Sequence, residues 1–206
     1  TRDFILLSTI VMVLLEQDYE LILASKSPRR SQLLGEAGLP FRVQTQDVEE
    51  DYPAEMPVAE VPVFLAQKKA RAARIHLRQE KEIILAADSV VILDDTIYGK
   101  PVDEADARRI LRELSGREHR VITGVCLINQ QREIAFGDTT KVKFAELSDQ
   151  DIEYYIHNYQ PFDKAGSYAI QEWIGLCKVE KIEGTYANVM GLPVERVWKA
   201  LEKMLG

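Results

Sequence analysis

The first residue in this chain that asks for a chemical explanation is an aspartate inside an apolar run. Asp88 follows Ile83-Ile84-Leu85-Ala86-Ala87 and precedes Ser89-Val90-Val91-Ile92-Leu93. A carboxylate is costly to bury unless it is paired, so an aspartate in such a setting points to metal binding or to a base. The plainer alternative is an aspartate at a strand end that caps a turn. Ser25-Lys26-Ser27-Pro28-Arg29-Arg30 is the second cluster. The amides of a helix N-terminus favour anions, and two guanidiniums beside them would clamp a phosphate. Pattern alone favours a capped helix with two solvated arginines. In Gly99-Lys100-Pro101 a rigid loop would project an ammonium suited to phosphate. The run from Asp163 to Gln171 combines small residues with an amide that can donate and accept at a base edge. Glu49-Glu50-Asp51 could supply carboxylates to Mg²⁺, although a solvated acidic loop is the commoner reading.

Other chemistries lack their signatures. His76, His119 and His157 lie far apart with no zinc-ligand spacing. There is no G-x-S-x-G elbow, no Walker A motif and no G-x-G-x-x-G.

These residues need elements to hold them. Leu21 to Ala24 reads as a buried strand, and Ser27-Pro28 starts a helix that carries Leu33, Leu34 and Ala37 and stops at Gly38. Phe41-Arg42-Val43 alternates like a strand, and Asp47 to Pro57 is a loop. A helix is expected from Val61 to about Leu77, and a strand through Ile83 to Leu93 with a break at Asp88-Ser89. Asp94-Asp95 makes a turn, and Asp103 to Leu114 is an amphipathic helix ended by Gly116. Strands follow at His119 to Asn129 and Ile134 to Val142, with alternation continuing to Phe144. Ser148 caps a helix to about Tyr159, Ala165 to Gln171 and Leu176 to Ile182 are expected strands, and Leu192-Pro193 opens a C-terminal helix. Helices alternate with strands, several of them hairpin-like, which predicts an α/β fold with a mixed sheet.

The chain has 206 residues, 46% of them hydrophobic, enough for one medium domain or one domain with two lobes. A formal net charge of −7 repels nucleic acid polymers but leaves room for a small polyanion held by a local basic cluster. Cys126 and Cys177 form no C-x-x-C pair and read as small core residues in a reducing, cytoplasmic compartment. Phe4 to Leu15 is apolar but for Ser8 and Thr9, shorter than the roughly twenty residues of a membrane span. No membrane attachment is expected. Residues 1–19 are read as an N-terminal extension and 20–206 as the domain. Met12 as the natural start and a native N-terminal element packed on the core both stay open.

Taken in order, the motifs amount to more than their parts. Ser25 to Arg30, Glu49-Glu50, Lys68-Lys69-Ala70, Ala87-Asp88-Ser89, Gly99-Lys100-Pro101, Ser115-Gly116, Thr123-Gly124-Val125, Asp163-Lys164-Ala165-Gly166 and Gly191-Leu192-Pro193 together resemble the Maf family from about residue 20 to the C-terminus. The resemblance implies an elongated mixed sheet with flanking helices and two lobes around a cleft, similar to the inosine triphosphate pyrophosphatases. It implies a nucleoside triphosphate substrate, a divalent cation such as Mg²⁺ or Mn²⁺, and release of a nucleoside monophosphate and pyrophosphate. It also implies links to nucleotide-pool cleaning and to arrest of cell division at septation, and it admits a homodimer.

Carried over by position, Asp88 matches the proton acceptor and a metal ligand, with Glu50 beside the metal. Ser25, Ser27, Arg30, Lys69 and Lys100 match phosphate-binding positions, and Arg29, Ser89 and Gln171 match positions that tune base choice. Arg29 and Gln171 resemble the dTTP/UTP branch rather than the 7-methyl-GTP branch. Ser89 departs from that branch, where threonine is usual, and the lost methyl is worth roughly 1 kcal/mol or less. Rival expectations are a pyrophosphatase for modified or deaminated purine nucleotides and a non-enzymatic nucleotide-binding regulator of septation.

Overall fold

The computed structural model describes Leu14 and residues 18–205. Apart from Leu14, the apolar N-terminal run and the Met12 start lie outside the described residues. The sheet is built around one long strand, β3 (Glu82–Leu93), to which parallel β1 (Glu20–Leu23) and antiparallel β5 (Glu118–Ile128) are hydrogen-bonded. Beyond β1 lies parallel β2 (Phe41–Val43), and beyond β5 lie antiparallel β6 (Glu133–Phe144) and β7 (Val179–Glu183). The short β4 (Thr96–Tyr98) folds back on the end of β3 through a turn at Asp94, whose φ is +53°. The mixed sheet expected from the sequence is therefore present. The apolar runs on either side of Asp88 form a single strand with no break.

Strand periodicity sorts the core. Leu21, Leu23, Leu85, Ala87, Val125 and Leu127 pack against Leu33 and Leu34 of α1 (Pro28–Glu36) and Val197 and Leu201 of α7 (Val194–Leu205). Ile22, Ile84, Ala86, Cys126 and Ile128 face the other way, against Ala66, Ala70 and Ala73 of α2 (Val61–Ala73). Cys126 is the core residue the sequence suggests, and burial pushes its thiol up to about 12. Cys177 is exposed, contrary to the same expectation. A second lobe forms at the far end of β3. There Val91, Leu93, Val121, Val142 and Phe144 meet Ile110, Leu111 and Leu114 of α3 (Glu104–Leu114) and Ile152, Tyr155 and Ile156 of α4 (Asp149–Tyr159).

Two expected strands are corrected. Ala165 to Gln171 is not a strand: Ala165–Ser167 forms a 3₁₀ turn, with φ of +69° at Gly166 and +58° at Ser167. Left-handed backbone at consecutive residues cannot extend a pleat. Leu176 to Ile182 is divided between helix α5 (Trp173–Lys178) and β7. The five-residue α6 (Tyr186–Met190) then leads to α7.

Helix α2 lies unusually close to the sheet. An ideal Cβ at Gly124 would sit 2.1 Å from the backbone oxygen of Pro62 in the first turn of α2. Gly124 is the cross-strand partner of Asp88. We expect Gly124→Ala to push α2 off the sheet, costing about 3 kcal/mol or more in urea unfolding. Wild-type stability in that variant would show that the contact is relieved at no cost.

Candidate active site

The topology leaves a gap beside the centre of β3. On that side β1 pairs as far as Leu85 and β4 begins at Val91. The stretch between has no strand partner there among the described residues. Its edge opens into a cleft of about 770 Å³. The chain leaving β1 delivers Ser25 to Arg30 to this gap, and the chain leaving β4 delivers Lys100. Ligands of α/β sheets collect at such places, beyond the carboxyl ends of parallel strands. All ten residues singled out in the sequence line this cleft: Ser25, Ser27, Arg29, Arg30, Glu50, Lys69, Asp88, Ser89, Lys100 and Gln171.

Pro28 opens α1, as the sequence suggests, but the Ser27 side chain makes no capping hydrogen bond. Ser25 acts locally instead. Its Oγ accepts from the Ser27 amide at 3.2 Å and from Arg30 Nη1 at 3.0 Å. Arg30 is held at three points, because Nε donates to the Gly191 carbonyl at 2.8 Å and Nη2 to Ser89 Oγ at 3.1 Å. Burial pulls this guanidinium below its ordinary pKa, while nearby Asp88 acts in the opposite sense. Ser89 Oγ also lies 2.9 Å from Thr123 Oγ1, which donates to the Asn188 carbonyl at 3.1 Å. Thr123 has one proton, so Ser89 donates to Thr123 and accepts from Arg30. The Ser89 hydroxyl thus serves to fix Arg30.

Alternation sends Asp88 to the other face, towards α2. It is buried, and its Oδ1 accepts from Lys69 Nζ at 2.6 Å. The same ammonium reaches Glu50 Oε1 at 2.7 Å. Burial works to raise the Glu50 pKa. The Lys69 hydrogen bond and charge, helped by Lys100 and Arg30, outweigh it and leave the carboxyl below its ordinary value. No group of three or more His, Cys, Asp or Glu able to hold a metal occurs among the described residues. Two carboxylates that share one cation, beside a basic cleft, nonetheless fit Mg²⁺ that keeps phosphate oxygens as its other ligands.

The opposite wall comes from residues 163–171. Arg29 Nη1 donates to Asp163 Oδ2 at 3.2 Å, which ties α1 to that wall. Gly166 packs on Val91, and its amide donates to the Gly99 carbonyl at 3.0 Å, which anchors the loop that carries Lys100. Gln171 Oε1 is buried with no hydrogen-bond partner among the described residues. Tyr168 lines the floor, and its hydroxyl meets His119 Nε2 at 2.8 Å. Burial pulls the His119 pKa down to about 3, so the ring is neutral and serves packing.

Single-motif reading gave Thr123, Asn188 and Lys164 no role. Asn188 Nδ2 donates to the carbonyls of Val121 and Asp138 at 3.2 Å each and to Thr140 Oγ1 at 3.0 Å, pinning α6 to β5 and β6. The one hint was an asparagine three residues after Thr185, whose hydroxyl accepts from its amide.

Residues 20–204 match the family described as Maf-like protein. A dTTP/UTP pyrophosphatase of Phocaeicola vulgatus is 49% identical over 189 residues, covering 91% of this chain and 97% of its own length. Proteins of the same name from Porphyromonas gingivalis and Flavobacterium johnsoniae are 47% and 44% identical, covering 89% and 91% of this chain and 94% and 96% of their own. Among solved structures, the Staphylococcus aureus Ham1 protein aligns with a TM-score of 0.51 at 16% identity, over 90% of this chain and 99% of that one, a likeness of fold. With the family match running from β1 to the last turns of α7, and with the cleft lined by residues from seven of the nine motifs that carried the resemblance, the chain belongs to the Maf-like protein family.

Proposed function

We propose that this chain is a nucleoside triphosphate pyrophosphatase that hydrolyses dTTP and UTP to the monophosphate and pyrophosphate. The observation that carries this reading is the convergence of Arg29, Arg30, Lys69 and Lys100 on one cleft around the Asp88 carboxylate, in a chain whose net charge is −7. The names of the relatives described above support the base preference.

The triphosphate lies along the basic wall. Arg30, preset by Ser25, Ser89 and Gly191, presents its charge without reorganising, which is where electrostatic catalysis gains most. Lys69 exchanges a carboxylate partner for phosphate, and Lys100, unpaired among the described residues, approaches from the β4 side. Glu50 and Asp88 are the residues that would hold Mg²⁺ or Mn²⁺, whose chemistry here is to neutralise charge on the leaving pyrophosphate. Asp88 accepts the proton of a water as that water attacks the α-phosphorus. The bond from this phosphorus to the bridging oxygen breaks, and the electron pair leaves with pyrophosphate. The Gln171 amide faces the base, where its unpartnered oxygen accepts from N3–H and its NH₂ donates to O4 of uracil or thymine.

The primary experiment is pyrophosphate release from a panel of nucleoside triphosphates with Mg²⁺, with and without chelator. We expect Asp88→Asn to lose at least about a hundredfold in kcat while the protein stays folded, since the change keeps shape and removes basicity. A folded variant with near wild-type turnover would rule Asp88 out as the proton acceptor. Gln171→Glu places an acceptor against O4, and an unpaired buried polar group costs about 1–3 kcal/mol, so kcat/KM for dTTP and UTP should fall roughly tenfold or more. Turnover of 7-methyl-GTP, whose edge offers N–H donors, should change much less. Equal losses on all three substrates would place Gln171 in support of the fold.

A further inference from the structure

The base-side wall carries a chain of charges that no step above uses. Asp163 receives Arg29 on Oδ2 at 3.2 Å and Lys164 Nζ on Oδ1 at 2.7 Å. Lys164 Nζ also stands 3.5 Å from Glu172 Oε1. Glu172 uses its other oxygen to accept from the Tyr155 hydroxyl, which in turn accepts from the Ala169 amide at 3.1 Å. The series runs from Arg29 through Asp163, Lys164 and Glu172 to Tyr155, and each carboxylate spends one oxygen on each neighbour. Its middle member is unusual, because Lys164 is a lysine only 8% exposed. An ammonium in such a place is tolerated when carboxylates compensate it, and here there are two. Its far end, Tyr155, is fully buried in the core of the second lobe and is not among the residues that line the cleft.

The position of this chain matters because of what flanks it. Arg29 is at one end, on α1. Gln171 adjoins Glu172 at the other, in a segment with no strand to fix it. We propose that Lys164 is a positioning residue for base selection: by bridging Asp163 and Glu172 it holds Arg29 and Gln171 at a fixed separation across the cleft. This rests on the reading that Arg29 and Gln171 face the base. Arg29 has a long side chain and, among the described residues, one ion-pair partner, Asp163, so its direction is set by how Asp163 is held. Asp163 is in turn kept below its ordinary pKa against the opposing effect of burial, first by Lys164 and then by Arg29. Without the ammonium, Glu172 would lose its cationic neighbour and the turn from Ala169 to Trp173 would shift, taking Gln171 with it. The phosphate side, with Arg30, Lys69, Lys100 and Asp88, shares no hydrogen bond with this chain among the described residues.

The test uses the full-length protein and four substrates, dTTP, UTP, CTP and GTP, with kcat and KM measured separately. Lys164→Met keeps length and removes charge. We expect kcat/KM for dTTP and UTP to fall about tenfold, mostly through KM, while CTP and GTP change by less than about threefold, so that discrimination narrows. In a Gln171→Ala background the same change should cost clearly less than it does alone, because one of the two groups it positions is already gone. Tyr155→Phe deletes a single hydroxyl outside the cleft and should narrow discrimination in the same direction; it carries the test if Lys164→Met does not fold. An equal loss on all four substrates, or effects of Lys164→Met and Gln171→Ala that simply multiply, would overturn the proposal. A wild type that favours dTTP and UTP, with variants that keep the same preference, would overturn this inference alone. A wild type without that preference would overturn the proposed function on which it rests.

Discussion

Helix α2 rests its first turn on the backbone of β5, at the one position where a side chain would prevent it. The Pro62 carbonyl occupies the space that a Cβ at Gly124 would need. Because Gly124 pairs with Asp88 across the sheet, the same close approach sets the distance from α2 to the buried carboxylate. Small residues continue the contact along the helix at Ala66, Ala70 and Ala73. Lys69, one turn from Ala66 and Ala73, is thereby held against Asp88. A bulkier interface would move the ammonium away and leave a buried carboxylate uncompensated, which is more costly than the lost packing. Packing and electrostatics at this point are one constraint.

The site follows from how a parallel strand and a hairpin strand share a neighbour. β1 and β4 both pair with β3 on the same side, and neither covers its middle. The unpaired edge is where the polypeptide can place cations without displacing a strand. Alternation along β3 then divides the labour: Ser89 turns to α1 and secures Arg30, while Asp88 turns to α2 and meets Lys69. Neighbours in sequence therefore serve opposite walls of the cleft.

Much of this was legible in the sequence, for identifiable reasons. Continuous apolar runs mark β1, β3 and β5 because both faces of each are covered, helical periodicity marks α3 because one face is, and Pro28 marks the start of α1 through its fixed φ. The cleft residues were legible through the order of their motifs, which resembles that of the Maf family; singly, most of those motifs admit plainer readings. The irregular segment after Asp163 was not. Its apolar and small residues read as a strand, and only the left-handed backbone at Gly166 and Ser167 shows that it turns. Nor could spacing reveal that Thr123 and Asn188 meet, since the contact joins a strand to a short helix far along the chain. Lys164 carried no signal of its own, because nothing local indicates that two carboxylates come to enclose it.

The placement of Asp88 has a consequence for motion. It is the seventh of the twelve residues of the central strand, with β5 paired along its whole neighbourhood. Its amide should exchange with solvent only when the whole molecule opens, whereas the loop bearing Glu50, joined to the body through ion pairs from Asp47, Glu50 and Asp51, can detach at little cost. The protein thus combines a rigidly held buried carboxylate with a compliant acidic loop.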